Sequence, residues 1–192
     1  EGWGNVAVGN ILGEQLGIPV VLDNGANAGL LAEYWLDMEN RLDHLLYVHV
    51  GIGIRTAMMS GGNIVYGAVD MEGAVGQMII QSDGVASIPM SGNYGSWESY
   101  CSVAAIERAG IARLKQGRLS SILNKVQDVE QLTYADFEAG LHEGDPLCKE
   151  LFEQAACYFG IGLANLLNIL HPQKVILGGP VISGNDVFFA HG

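Results

Sequence analysis

Positive charge is scarce in this sequence: nine lysines and arginines stand among 192 residues, against 21 aspartates and glutamates, for a formal net charge of -12. The cations form no run, so the chain itself is not expected to bind nucleic acid, which requires clustered cations to neutralise phosphates. Cysteine is equally sparse. Cys101, Cys148 and Cys157 make no Cys-x-x-Cys pair and no disulfide framework, which favours a reducing compartment, the cytoplasm by default. No apolar run approaches the ~20 residues needed to cross a bilayer, and no signal-peptide pattern opens the chain. There is no internal repeat and no low-complexity tract. What the chain has in quantity is apolar residues, 49% against 16% charged, enough for a sizeable buried core in one large domain or parts of two. Because Glu1 is not a methionine and the pattern begins in mid-element, a piece of a longer protein is the expectation.

The stretch from Ile18 to Trp35 organises the reading. Ile18 to Leu22 is a short, β-branched apolar run between Gly17 and Asp23 and suits a buried strand, and residues 27 to 36 suit a helix. Such a strand would deliver Asp23, Asn24 and Asn27 at its C-terminal end, where ligands bind in open α/β sheets. The same residues would serve equally well as helix caps.

Before this stretch, Val8, Ile11, Leu12 and Leu16 have helical spacing, ending at Gly17 with Pro19 beyond. After it comes a polar link, Asp37 to Asp43, the nearest thing to a domain boundary. Leu45 to Val65 then reads as a three-stranded antiparallel meander with Gly61-Gly62-Asn63 at one turn. The Gly-rich middle, Gly67 to Gly95, reads as a loop or an insertion carrying a small sheet. From Trp97 the period is helical, with Gly110 interrupting it. Thr133 and Asp136 have the spacing of a capping box for a helix to Leu141. Asp145 and Pro146 open the longest helix, to Leu170, which His171-Pro172 stops. Lys174 to Leu177 is a buried strand running into Gly178-Gly179.

A meander beginning with a Gly-x-Gly hairpin, then helices, then a strand ending in Gly-Gly, is an α/β pattern of the actin-like or ribonuclease H-like ATPase type. Several blocks, kept in order over nearly the whole chain, resemble the ROK family (repressors, open reading frames and kinases). They are Pro-Val-Val-Leu-Asp-Asn-Gly-Ala-Asn from Pro19, Tyr-Val-His-Val-Gly-Ile-Gly-Ile from Tyr47, and Glu-Gly-Ala-Val-Gly-Gln-Met from Glu72. Gly-Asn-Tyr-Gly-Ser-Trp-Glu from Gly92 and Asn-Ile-Leu-His-Pro-Gln-Lys-Val-Ile-Leu-Gly-Gly from Asn168 complete the set. The resemblance implies a sugar kinase-like fold, present in part. Residues 1–43 would end a first lobe, and 44–192 would form a second lobe with an insertion at about 67–95, truncated at its C-terminus. A phosphate loop, or a repressor's winged helix-turn-helix, would precede Glu1.

Residue by residue, the resemblance also marks departures. The family's general base falls on Gly25, which has no group to accept a proton, and Asp23 two residues earlier is a poor substitute by position. The Gly-rich nucleotide loop keeps Gly51 and Gly53, with Ile52 at its hydroxyl position and Arg55, Thr56 and Ala57 at three later small positions, and Gly178 and Gly179 are further remnants on the last strand. Arg55 could pair with phosphate or simply be a solvated strand residue. A sugar-binding glutamate position carries Ala74. The family's four zinc ligands are replaced by Gln77, Pro89, Ser91 and Ser96, poor zinc donors beside thiolate and imidazole, so no zinc is expected. Asn24 and Glu98 match sugar-contacting positions and, with Gln77, are the candidate ligand-binding residues, although Glu98 would also suit a helix N-terminus. His49, His142 and His171 have no metal-like partner spacing.

The resemblance therefore implies the sugar-sensing part of a transcriptional regulator, or a pseudo-kinase, with no catalytic residue and no cofactor. DNA would be reached only through a separate N-terminal domain, and a homo-oligomer is compatible with the pattern. The alternatives are an ATP-dependent sugar kinase, which would require ATP and Mg²⁺, and a purely structural subunit.

Overall fold

The computed structural model describes residues 4, 6–37, 41–68, 74–87 and 92–192. Its centre is a sheet whose strands are β1 (Leu45–Val50), β2 (Ile54–Ser60), β3 (Asn63–Ile64) and β4 (Lys174–Gly178), in the order β3-β2-β1-β4. β1 and β2 are antiparallel, with Leu45 opposite Met59 and Val50 opposite Ile54, while β1 and β4 run parallel, with His49 opposite Gly178. The third strand of the expected meander is only two residues long.

Alternation along the strands divides the core into two faces, as the period of two requires. Leu45, Tyr47, Ala57, Met59 and Ile176 face helix α2 (Gly25–Leu36), where Ala26 and Leu30 are buried against them. Leu46, Val48, Val50 and Ile54 face the opposite layer, built from α3 (Glu98–Cys101), α4 (Val103–Lys115), α5 (Tyr134–His142), α6 (Pro146–Leu170) and α7 (Asp186–His191). The result is helix, sheet and helices in layers, with the ends of β1 and β4 side by side.

Local signals set the helix boundaries. The Thr133 N–H and hydroxyl both donate to Asp136 Oδ2 at 2.8 Å, the capping-box residues acting as their spacing suggests. α6 starts with Pro146 at its first position and stops at His171, whose φ of 45° takes the left-handed turn that ends a helix. Gly110 does not break α4. The Phe137 ring rests on it so closely that a Cβ there would lie 2.3 Å from the ring, and the glycine is what lets α5 approach α4.

Two expectations are corrected. Ile18 to Leu22 is not a strand: residues 19–24 form no regular element and have no ladder partners among the described residues, and Val21 is 90% exposed. The apolar run supplies side chains that suit a sheet, but a strand exists only with a neighbour. The helix before it, α1 (Val8–Leu16), ends at Gly17 in the left-handed region as its sequence indicates, but buries no residue. The Gly-rich middle likewise carries no small sheet among its described residues. It has a 3-10 turn at Ala74–Gln77 and a single bridge between Ile79 and Ser96. Part of the polar link, residues 38–40, lies outside the described residues.

Asp145 caps α6 with several hydrogen bonds. Buried at 4% exposure, it accepts from the N–H groups of Leu147 and Cys148 at the start of α6, and from Ser120 Oγ, Ser121 N and Ser121 Oγ at 2.8 Å. Burial pushes its carboxyl up, but these hydrogen bonds outweigh it and hold the group down at about 2. A depressed carboxyl stabilises the fold above its unfolded value near 3.8 and loses that contribution as pH falls through its folded value. We expect Asp145→Ala to lower unfolding stability by roughly 2 kcal/mol at neutral pH. The difference from wild type should shrink between about pH 4 and pH 2 in denaturant titrations.

Candidate functional site

The parallel strand pair sets the geometry. β1 and β4 end together, and the loops that follow carry the glycines singled out in the sequence. Gly51 N–H donates to the Gly53 carbonyl at 2.9 Å, closing a tight turn into β2, and the Gly51 carbonyl accepts from Val103 N at 2.8 Å, which attaches the turn to the start of α4. Gly178 lies opposite His49. Gly179 takes φ 99° and sits so close to β1 that a Cβ would be 2.3 Å from the Val50 carbonyl oxygen. The four glycines thus gather at the C-terminal ends of a parallel pair, the position at which α/β sheets bind ligands. Arg55 is exposed on β2, its Nη1 donating to the Ile54 carbonyl at 3.3 Å.

Beside this turn lies a buried carboxylate. Trp97, fully buried, is anchored by its own N–H to the Met78 carbonyl at 2.8 Å and by its indole N–H to the Tyr158 carbonyl at 3.1 Å. It stacks on Phe159 with centroids 5.6 Å apart and lies on Gly162 of α6, where a Cβ would be 2.2 Å from the ring. The next residue, Glu98, is therefore held at the β2 turn at 6% exposure. Its Oε2 accepts from Ile54 N at 3.1 Å and its Oε1 from Gln77 Nε2 at 2.5 Å. Gly53 and Gly76 crowd the same carboxylate, since a Cβ on either would meet Oε2 at 2.8 and 2.6 Å.

A second cluster forms at the start of α2. Asn24 caps that helix, its Oδ1 accepting from Asn27 N at 2.8 Å. Asp23 Oδ1 accepts from Asn24 N at 2.7 Å and from Asn27 Nδ2 at 2.8 Å, and its Oδ2 accepts from the Tyr66 hydroxyl at 2.7 Å. Burial pushes the Asp23 carboxyl up, but the bonds from Tyr66, Asn27 and Asn24 leave it below its ordinary value. Asp23, Asn24, Tyr66, Val21, Leu22 and Gly67 line an open hollow of about 500 Å³. Around Gly25 there is free space, with no heavy atom within 4 Å of where a Cβ would stand.

Of the sequence-predicted ligand residues, Glu98 and Gln77 are thus brought together, while Asn24 hydrogen-bonds to neither and belongs to the hollow. Tyr66 and Trp97 were not singled out by the sequence. A tyrosine after a short strand and a tryptophan before a glutamate carry no signal until the fold shows what they touch. A further cavity of about 550 Å³ between α4 and α6, lined by Ile106, Ala109, Leu151, Ala155, Tyr100 and Tyr158 among others, contains none of the predicted site residues.

The residues present do not suit the zinc of the resembling family. The Gln77 side chain gives its N–H to Glu98 and accepts from Asn93 N at 2.7 Å, and the Ser96 and Ser99 hydroxyls are 2.6 Å apart. Pro89 and Ser91 lie outside the described residues. His49 stacks with Tyr47, and His142 and His171 lie at the ends of α5 and α6. Among the described residues no group of His, Cys, Asp and Glu has metal-binding geometry.

The contrast between crowded and open glycines is measurable. We expect Gly76→Ala to cost about 1–3 kcal/mol through overlap with the Ile54 carbonyl and Glu98. Gly25→Ala at the helix start should be neutral or slightly stabilising. Denaturation midpoints of the two variants compare them directly.

The family model for the ROK family matches residues 1–190. A xylose repressor of Caldicellulosiruptor bescii is 31% identical over 97% of the chain, which spans 46% of that protein. A glucokinase of Halalkalibacterium halodurans is 27% identical over 96% of the chain and 56% of its own length. The crystal structure of a ROK family transcriptional regulator, a homologue of the E. coli MLC protein, superposes with a TM-score of 0.82 at 26% identity, over 97% of this chain and 46% of that one. The chain spans about half the length of the curated relatives it matches, and no helix among its described residues is long and apolar enough to cross a membrane. With the family model matched over nearly its whole length, the chain belongs to the ROK family.

Proposed function

We propose that this chain is the effector-binding part of a cytoplasmic ROK-type transcriptional regulator, a sugar sensor in which the kinase scaffold persists without phosphoryl transfer. The observation that carries this reading is the pairing of Gly25 with an occupied Asp23. The position that would hold a general base has no side chain, and the neighbouring carboxylate is engaged by Tyr66, Asn27 and Asn24 and held below its ordinary range, so it is a weak proton acceptor. Phosphoryl transfer depends on positioning, a metal-bound nucleotide and an oriented nucleophile. With Ile52 in place of the family's hydroxyl residue and Arg55, Thr56 and Ala57 in place of its later glycines, the nucleotide loop is altered as well. Xylose repressors among the relatives support the regulator reading.

In this reading residues 1–43 end the first lobe and 44–192 belong to the second. A sugar lies between them, contacted by Asn24 and by Glu98 with Gln77. A carboxylate and an amide suit a polyol, since each can hold more than one hydroxyl. A ligand that favours one arrangement of the lobes would bias a DNA-binding domain elsewhere in the protein.

The second reading, an ATP-dependent sugar kinase, is favoured by the glucokinase relatives. A coupled assay of the full-length protein with hexoses, xylose, ATP and Mg²⁺ separates the two. We expect no sugar-dependent ADP release, and none in Gly25→Asp, because the loop is also changed. Robust turnover that disappears in Asp23→Asn would establish the kinase.

A further inference from the structure

We propose that Gln77 is the positioning residue of this site, a hydrogen-bonded clamp that fixes the Glu98 carboxylate and ties residue 93 to the same point without a metal. The inference uses the proposed function only in treating Glu98 as a ligand contact, and the clamp itself stands on geometry.

Gln77 engages its neighbours through three polar groups. Its Nε2 donates to Glu98 Oε1 at 2.5 Å, its Oε1 accepts from Asn93 N at 2.7 Å, and its backbone carbonyl accepts from Asn93 Nδ2 at 2.9 Å. The amide orientation is forced. Turned over, it would set oxygen against carboxylate and N–H against N–H. The surroundings are close as well, since a Cβ on Gly92 would lie 2.4 Å from Gln77 Oε1 and one on Gly53 or Gly76 would lie 2.8 or 2.6 Å from Glu98 Oε2. One side chain thus joins the 3-10 turn at Ala74–Gln77, the segment before Trp97 and the start of α3. Glu98 keeps lone pairs beyond those taken by Ile54 N and Gln77, and these are the ones a hydroxyl ligand would use.

The clamp predicts a behaviour that space-filling does not. Gln77→Glu keeps the shape and the acceptor for Asn93 but sets two carboxylates in contact, so the pair must share a proton and its apparent pKa rises. A group whose folded value is raised supports stability below its unfolded value and loses that support as pH rises through the folded one. Other charged or titratable groups near Glu98 include the buried Cys101 thiol on α3, pushed well up by burial and by Glu98, and the exposed Arg55 on β2.

The test is denaturant unfolding of the full-length protein across about pH 4 to 8, without sugar or nucleotide, so its outcome is independent of whether the protein senses sugar. Gln77→Glu should match wild type at the acid end and lose midpoint progressively as pH rises. The double variant Gln77→Glu, Glu98→Gln should remove that pH dependence, and the near-isosteric Gln77→Met, which takes one hydrogen bond from the Glu98 carboxylate without adding a second charge, should lose less midpoint than Gln77→Glu at the alkaline end. Dialysis against a chelator should leave the wild-type midpoint unchanged. A Gln77→Glu protein that tracks wild type at all pH values, or that fails to fold even at the acid end, would overturn the proposal. So would a pH dependence that survives Glu98→Gln, or a wild-type midpoint that falls with chelator.

Discussion

The site rests on an aromatic ring lying flat on a glycine. Trp97 can reach across to α6 only because Gly162 has no side chain, and once there its backbone and indole N–H groups are tied to Met78 and Tyr158. The adjacent residue then has little freedom. Glu98 must emerge at the turn between β1 and β2, where Ile54 N and Gln77 receive it. A buried carboxylate is costly unless hydrogen-bonded. Its partners are therefore part of what makes this arrangement stable, and the close glycines at positions 53 and 76 are the steric counterpart of the same requirement.

The second cluster follows a different logic. At the start of α2 the polar residues are turned inward upon one another: Asn24 caps the helix, and Asp23 gathers donors from Asn24, Asn27 and Tyr66. Such a carboxylate orders a loop and leaves little basicity for taking a proton. In a family that includes both repressors and sugar kinases, the proposed reading is of a scaffold kept without the group on which transfer would depend. The proposed sensor uses what remains, a hollow and a carboxylate held in place, to register a ligand rather than to change it.

Much of the fold was legible because it is written locally. The capping box at Thr133, the Asp145-Pro146 start, the His171-Pro172 stop and the alternating strand Leu45–Val50 each depend on residues within a few positions. The strand expected at Ile18 to Leu22 failed because apolar β-branched composition describes a side-chain preference, whereas a strand needs a partner for its backbone. The candidate site is marked in the sequence only in part. The resemblance points to the four glycines and Glu98, but the Gln77–Glu98 bond spans 21 residues and Tyr66–Asp23 spans 43. No spacing rule reports contacts made through tertiary structure. Gln77 stood out first as a missing zinc ligand, and only its partners show what an amide does there.

The central claim is that the protein binds a sugar and leaves it unchanged. Calorimetric titration of the full-length protein with D-xylose and D-glucose, with the sugar recovered and analysed after incubation with ATP and Mg²⁺, tests it most directly. The account predicts saturable binding of a sugar, weakened in Asn24→Ala and in Glu98→Ala, and recovery of that sugar without phosphate. Binding indifferent to both substitutions, or recovery of a sugar phosphate, would contradict it.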